Sequence, residues 1–171
     1  MAPDRWREPT SLLPLHWGRY RDRYLLGLVL IVSGGVHLQG SNTYTLPFLL
    51  VATTATAVGW SILPSRGWRR LVVVLPATFQ IWLLLPGPFW VFTLVVPYLA
   101  WMLVRHRPLR SYVTVLLPLA NSFIVPVFFT EYSGMLAALG ISMAVFVAAA
   151  WLARLIAASA PAPSPAAAPV R

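Results

Sequence analysis

Residues 71–104 read LVVVLPATFQIWLLLPGPFWVFTLVVPYLAWMLV, with no Asp, Glu, Lys, Arg or His among them. One continuous helix would place Pro86-Gly87-Pro88 at its middle. Proline there removes a backbone donor, and its ring strikes the preceding turn. The run therefore predicts two helices in a tight hairpin, at 71–86 and 88–104. At 1.5 Å per residue each reaches only about 24–26 Å, slightly short of a ~30 Å hydrocarbon core. Arg69 and Arg70 precede the hairpin and Arg105 follows it, while its turn carries no charge.

The same alternation extends outward in both directions. Further apolar segments lie at 24–40, 43–63, 111–130 and 132–157. The breaks before, between and after the six segments differ in charge. Arg5, Arg7, Arg19, Arg21 and Arg23 precede the first segment; Arg66, Arg69 and Arg70 lie in the second break; Arg105, Arg107 and Arg110 lie in the fourth. Arg154 and Arg171 end the chain, whereas Ser41-Asn42, Pro86-Gly87-Pro88 and the break at Glu131 hold no base. All 13 basic residues, every one an Arg, thus fall on one side of a six-span arrangement. The positive-inside rule assigns that side to the cytoplasm.

The predicted fold is an all-α membrane protein. It is a six-transmembrane-helix bundle of three consecutive helical hairpins, with both termini inside, in the cell membrane. Residues 1–23 form a basic cytoplasmic segment, 24–158 the transmembrane domain, and 159–171 a disordered Pro/Ala-rich tail. The first segment, with Ser33-Gly34-Gly35, is read as a retained helix rather than a cleaved signal peptide.

Composition agrees. The hydrophobic fraction is 58% and the charged fraction 10%, against about 25% charged in a soluble domain. Trp17, Tyr20, Tyr24, Trp60, Trp68, Trp101, Tyr112 and Trp151 fall near the Arg-rich boundary. Tyr44, Trp82, Trp90 and Tyr132 fall near the other. Such placement is that of aromatic belts at the headgroups. The net charge of +9 is a topology signal and not a nucleic-acid face, because no soluble domain presents it. Absence of Cys excludes disulfides and thiolate chemistry; absence of Lys reads as codon bias.

No ionisable group lies near the middle of any segment, which argues against carboxylate-driven proton transport and aspartyl proteolysis. His37 with Ser33 or Ser41 makes no catalytic constellation, and His37, Gln39, Asn42 and Glu131 make a weak metal signal. No catalytic residue, metal or cofactor is expected. The mid-segment polar residues are Gln80, Asn121, Ser122, Thr53, Thr54 and Thr56. Gln80 and Asn121 share a depth and are expected to face the bundle. They form either interhelical glue, one bonding the other across two helices, or a polar pocket for a small solute, which Pro76, Pro97, Pro118 and Pro126 would help to shape. Gly140, Ala144 and Ala148 predict a packing seam on the sixth helix, within the monomer or against a partner, and this helix is expected to supply the tightest helix contact; Gly134, Ala138 and Ser142 lie on an adjacent stripe. Arg105, Arg107 and Arg110 are candidates for lipid-phosphate contacts.

The six-helix layout is similar to the membrane-embedded substrate-binding components of energy-coupling-factor vitamin transporters, in architecture alone. Their Ala-xxx-Ala docking pattern in the first helix is replaced here by Gly27, Gly34 and Gly35. Two functions follow from these readings. One is a non-catalytic packing or assembly partner that meets another membrane protein or a second copy. The other is a component that binds or transports a small uncharged solute. Lipid is the expected partner in both, and nucleic acid in neither.

Overall fold

A computed structural model describes residues 8–15, 17–41 and 44–159. Asn42, Arg5, Arg7 and the tail from residue 160 lie outside the described residues. Among those described there are six α-helices and no strand: α1 (Tyr20–Gln39), α2 (Leu46–Ile62), α3 (Gly67–Trp82), α4 (Val95–Val104), α5 (Leu116–Phe128) and α6 (Met135–Ala158). Two stretches are long and apolar enough to cross a membrane, Leu109–Phe128 and Tyr132–Ala158. Leu46–Ile62 and Pro88–Val104 are apolar but shorter.

Each expected hairpin pairs its two helices: α1 on α2, α3 on α4, α5 on α6. The break at Pro86-Gly87-Pro88 is present. Gly87 takes φ 121°, a left-handed value that a side chain strongly disfavours, so the chain reverses there. The turn also shortens α4, because Pro88–Leu94 winds as a 3₁₀-helix before α4 begins.

The same device recurs before α5, where Leu109–Val115 is 3₁₀. In both places a proline follows two residues into the α-helix, Pro97 and Pro118. Each lacks the N–H that would bond the carbonyl four residues back, at Thr93 and Thr114. With that bond unavailable, the preceding turns tighten to i→i+3 pairing. Thr93 and Thr114 each turn the hydroxyl onto the carbonyl three residues earlier, Trp90 at 2.7 Å and Ser111 at 2.8 Å.

Helix α4 ends in a Schellman motif. His106 has φ 55°, its N–H donates to Leu103 at 3.2 Å, and the Arg107 N–H donates to Met102 at 3.1 Å. This left-handed residue plus Pro108 stops the helix.

Tightest of the helix contacts is that between α1 and α2. A Cβ on Gly34 would lie 2.2 Å from Thr56 Oγ1 and 2.8 Å from the Ala52 carbonyl oxygen, and one on Gly59 would lie 2.8 Å from the Gly27 carbonyl oxygen. The pairs run in opposite directions along the two helices, as an antiparallel hairpin requires. The expectation that Gly140 supplies the closest contact is therefore corrected. Gly140 has open space where a Cβ would stand, and Gly140, Ala144 and Ala148 are exposed. The neighbouring stripe of Ala138, Ser142, Ala149, Ala153 and Ala157 is the buried face of α6. It packs on Val91, Tyr98, Met102 and Val125. Small residues occupy both stripes, and the bulk of α4 and α5 selects between them.

Candidate functional site

Gln80 and Asn121 both point into the bundle, 2% and 7% exposed. The structure does not pair them. Gln80 Nε2 donates to Thr93 Oγ1 at 3.1 Å, within the α3–α4 hairpin. Asn121 Nδ2 donates to Ser142 Oγ at 2.9 Å, within the α5–α6 hairpin. A hydroxyl on the sequence-adjacent helix is brought close by each turn, so each amide is satisfied inside its own hairpin. Tyr98 extends the pattern between α4 and the start of α5, its hydroxyl 2.7 Å from Thr114 Oγ1.

The remaining mid-helix candidates scatter. Ser122 donates to the Pro118 carbonyl on its own helix at 2.7 Å. Thr53 donates to the Leu49 carbonyl at 2.6 Å and accepts the Trp82 indole N–H at 3.1 Å. Thr54 faces outward. Thr56 is fully buried, and its Oγ1 has no hydrogen-bond partner among the described residues. A groove between α2 and α3, lined by Thr53, Leu75, Thr78, Phe79 and Trp82, touches neither Gln80 nor Asn121.

The arginines have a structural order that spacing alone does not display. Arg23 Nε donates to the Ile62 carbonyl at 3.1 Å and Arg70 Nη1 to Ser61 at 3.1 Å, both at the end of α2. Arg69 Nη1 donates to Leu103 at 3.1 Å at the end of α4. Arg110 Nη2 donates to Ala157 at 3.3 Å at the end of α6. Every even helix thus presents its last carbonyls to a guanidinium from the start of an odd element. These carbonyls lack intrahelical donors and carry the negative end of the helix dipole, so cations there are stabilising. The starts of odd elements and the ends of even helices therefore share one face.

Arg105 and Arg107 behave differently from Arg110. Their Nη2 atoms lie 3.0 and 3.3 Å from the same oxygen, Glu8 Oε1. Arg105 also donates to the Tyr20 hydroxyl and lies over the rings of Tyr24 and Trp101, at 4.7 and 5.4 Å from their centroids. Glu8 arrives on a short 3₁₀ strap, Pro9–Leu12, pinned by Thr10 Oγ1 at 3.0 Å from the Tyr20 hydroxyl. Burial lowers the Arg107 pKa; Glu8 opposes this, while Arg105 and Arg154 reinforce it. Burial, with Arg69 and Arg66 nearby, also lowers the pKa of His106, whose Nε2 is 3.3 Å from Ser65 Oγ.

Sequence reasoning missed Glu8, Thr93, Thr114 and the pairing role of Ser142. The Thr residues had a readable signal, Thr-x-x-x-Pro at 93–97 and 114–118. Glu8 had none, because it lies in a polar leader far along the chain from its partners. No family model matches this chain, and neither does any curated protein or solved structure.

Proposed function

We propose that this chain is a multi-pass protein of the cell membrane that crosses it six times with both ends inside. It acts without catalysis, as a packing or assembly partner for another membrane protein or a second copy. The observation that carries this reading is the use of the two buried amides. Gln80 and Asn121 are each bonded to a hydroxyl of the adjacent helix element, which is glue and not a lining for solute.

Membrane placement draws on the exterior. Leu75, Phe79, Val127 and Leu136 are 79%, 65%, 72% and 75% exposed, a surface that suits lipid and not water. Only 33% and 22% of the most apolar windows of Leu109–Phe128 and Tyr132–Ala158 are buried, whereas the core helix of a soluble protein is mostly covered. The one-sided Arg set supplies the orientation. The exposed Gly140–Ala144–Ala148 stripe is the face on which a partner helix could approach closely.

The chain has no Cys, so Ala144→Cys gives a single crosslinking point in native membranes. A discrete protein adduct is expected, with none from the buried Ala149→Cys control. Absence of any adduct, together with a small molecule that co-purifies with the protein, would transfer the assignment to solute binding.

A further inference from the structure

Two guanidiniums meet at the end of α2 without a counter-charge. Arg23 of α1 donates through Nε to the Ile62 carbonyl, and Arg70 of α3 donates through Nη1 to the Ser61 carbonyl. Anchored on consecutive carbonyls, the two are close enough that the charge of Arg70 opposes that of Arg23. Among the described residues neither makes an ion pair. Glu8 is taken by Arg105 and Arg107, and Asp22, beside Arg23 in the chain, is exposed. Arg23 is only 5% exposed, so water and salt screen the like charges poorly. Its Nε alone bonds to a described residue, which leaves both Nη groups for an acceptor from beyond the chain.

Beside this pair a groove runs between α2 and α3, about 170 Å³ in volume and lined by Ser61, Gly67, Arg70, Leu71 and Val74. Its lining passes from charged to apolar. Arg70 stands at the basic boundary, and Leu71 and Val74 follow along α3 into the apolar segment. A phospholipid has the same order, phosphate first and hydrocarbon after. Exposed Trp17 and Trp68 flank the arginines, the Trp17 ring 4.6 Å from the Arg23 guanidinium, and amphipathic rings of this kind sit at headgroup depth.

We propose that Arg23 and Arg70 bind one anionic phospholipid, its phosphate on the two guanidiniums and its first acyl methylenes in the groove along Leu71 and Val74. Planar guanidiniums match phosphate oxygens in geometry as well as charge. A net negative headgroup is favoured over a zwitterionic one, whose own cation would return positive charge to an uncompensated pair. The lipid source rests on the membrane placement proposed above.

The test is a titration of the full-length protein in uncharged detergent, read by native mass spectrometry. The probes are phosphatidylglycerol, phosphatidylcholine and inorganic phosphate. Saturable binding of one phosphatidylglycerol is expected, about tenfold tighter than phosphatidylcholine; Arg70→Gln should weaken it about tenfold, and Arg154→Gln, a basic residue away from the groove, should leave it unchanged. Gly67→Leu fills the groove without touching a charge. A Cβ on Gly67 meets nothing within 4 Å, so this variant should keep the lipid-free melting temperature yet weaken binding about fivefold. It keeps the test sound if the Arg70 variant proves unstable. Equal affinity for the two lipids, or equal losses in the Arg70 and Arg154 variants, overturns the proposal. Full binding by Gly67→Leu overturns the acyl groove, and inorganic phosphate that displaces the lipid overturns the lipid source. Reporter fusions placing Gly67 outside would remove the membrane orientation while leaving the titration result standing.

Discussion

Gly34 of α1 lies against Thr56 of α2 so closely that a Cβ on the glycine would stand 2.2 Å from the threonine hydroxyl oxygen. The Ala52 carbonyl oxygen, at 2.8 Å from the same point, is backbone and cannot swing aside. The α1–α2 backbones are therefore in contact, and the dispersion gained depends on the missing side chain.

Gly34→Ala should destabilise the bundle by about 1–3 kcal/mol, the usual cost of overpacking. Gly140→Ala should be neutral or slightly stabilising, because its side chain meets nothing and alanine favours helix by up to about 1 kcal/mol. Thermal melts in one detergent compare the two. A Gly140 variant that melts as low as the Gly34 variant would return the main seam to α6.

How much of this was legible beforehand depends on the residue. The hairpin at Pro86-Gly87-Pro88 was, because proline and glycine act through local backbone geometry. The inward direction of Gln80 and Asn121 was also legible, because an amide is costly to leave facing hydrocarbon. Their partners were not. Equal depth suggested that they bond one another, but each hairpin turn delivers a nearer hydroxyl, at Thr93 and Ser142. On α6, two adjacent stripes carry small residues, so spacing could not tell which faces inward. Arg105 and Arg107 were singled out as phosphate contacts without any means of seeing that Glu8 lies between them.

Arg69 separates two roles of the basic residues. In the proposed topology its charge would contribute to orientation, while its Nη1–H is a second donor to the Leu103 carbonyl at the end of α4, beside the His106 N–H. Arg69→Lys keeps the charge and loses the planar fork. It should leave reporter orientation after Gly67 and Arg107 unchanged yet lower stability by about 1 kcal/mol. Equal stability would reduce the arginine to a topology signal.

His106 should make stability fall on acidification. Its folded pKa is lowered by burial and by Arg69 and Arg66 from the ordinary value of 6.5. The unfolded chain therefore takes up the proton first, and stability rises with pH in this range. It should be level above 6.5, then decline as pH drops through 6.5 toward the folded value. His106→Asn tolerates the left-handed backbone and removes the titration. Denaturation midpoints at pH 7.5 and 5.5 should therefore differ less in the variant, and an identical pH dependence would exclude His106 as the source.

The buried amides allow the sharpest separation of glue from pocket. Gln80 bonds Thr93, which anchors the 3₁₀ turn before Pro97; Asn121 bonds Ser142, which in turn donates to the Ala138 carbonyl at 2.8 Å. These are two independent units, one in each of two hairpins. In a double-mutant cycle, Gln80→Leu with Thr93→Val should show coupling of about 0.6–1.7 kcal/mol, the range for hydrogen bonds between membrane helices. Asn121→Leu with Ser142→Ala should do the same. Gln80→Leu with Asn121→Leu should instead be additive within about 0.5 kcal/mol, as unconnected sites are. Strong coupling between Gln80 and Asn121, with none in the two hairpin pairs, would mean that the amides meet in a shared cavity. That outcome would revive solute binding at the midplane and remove the main support for a packing role.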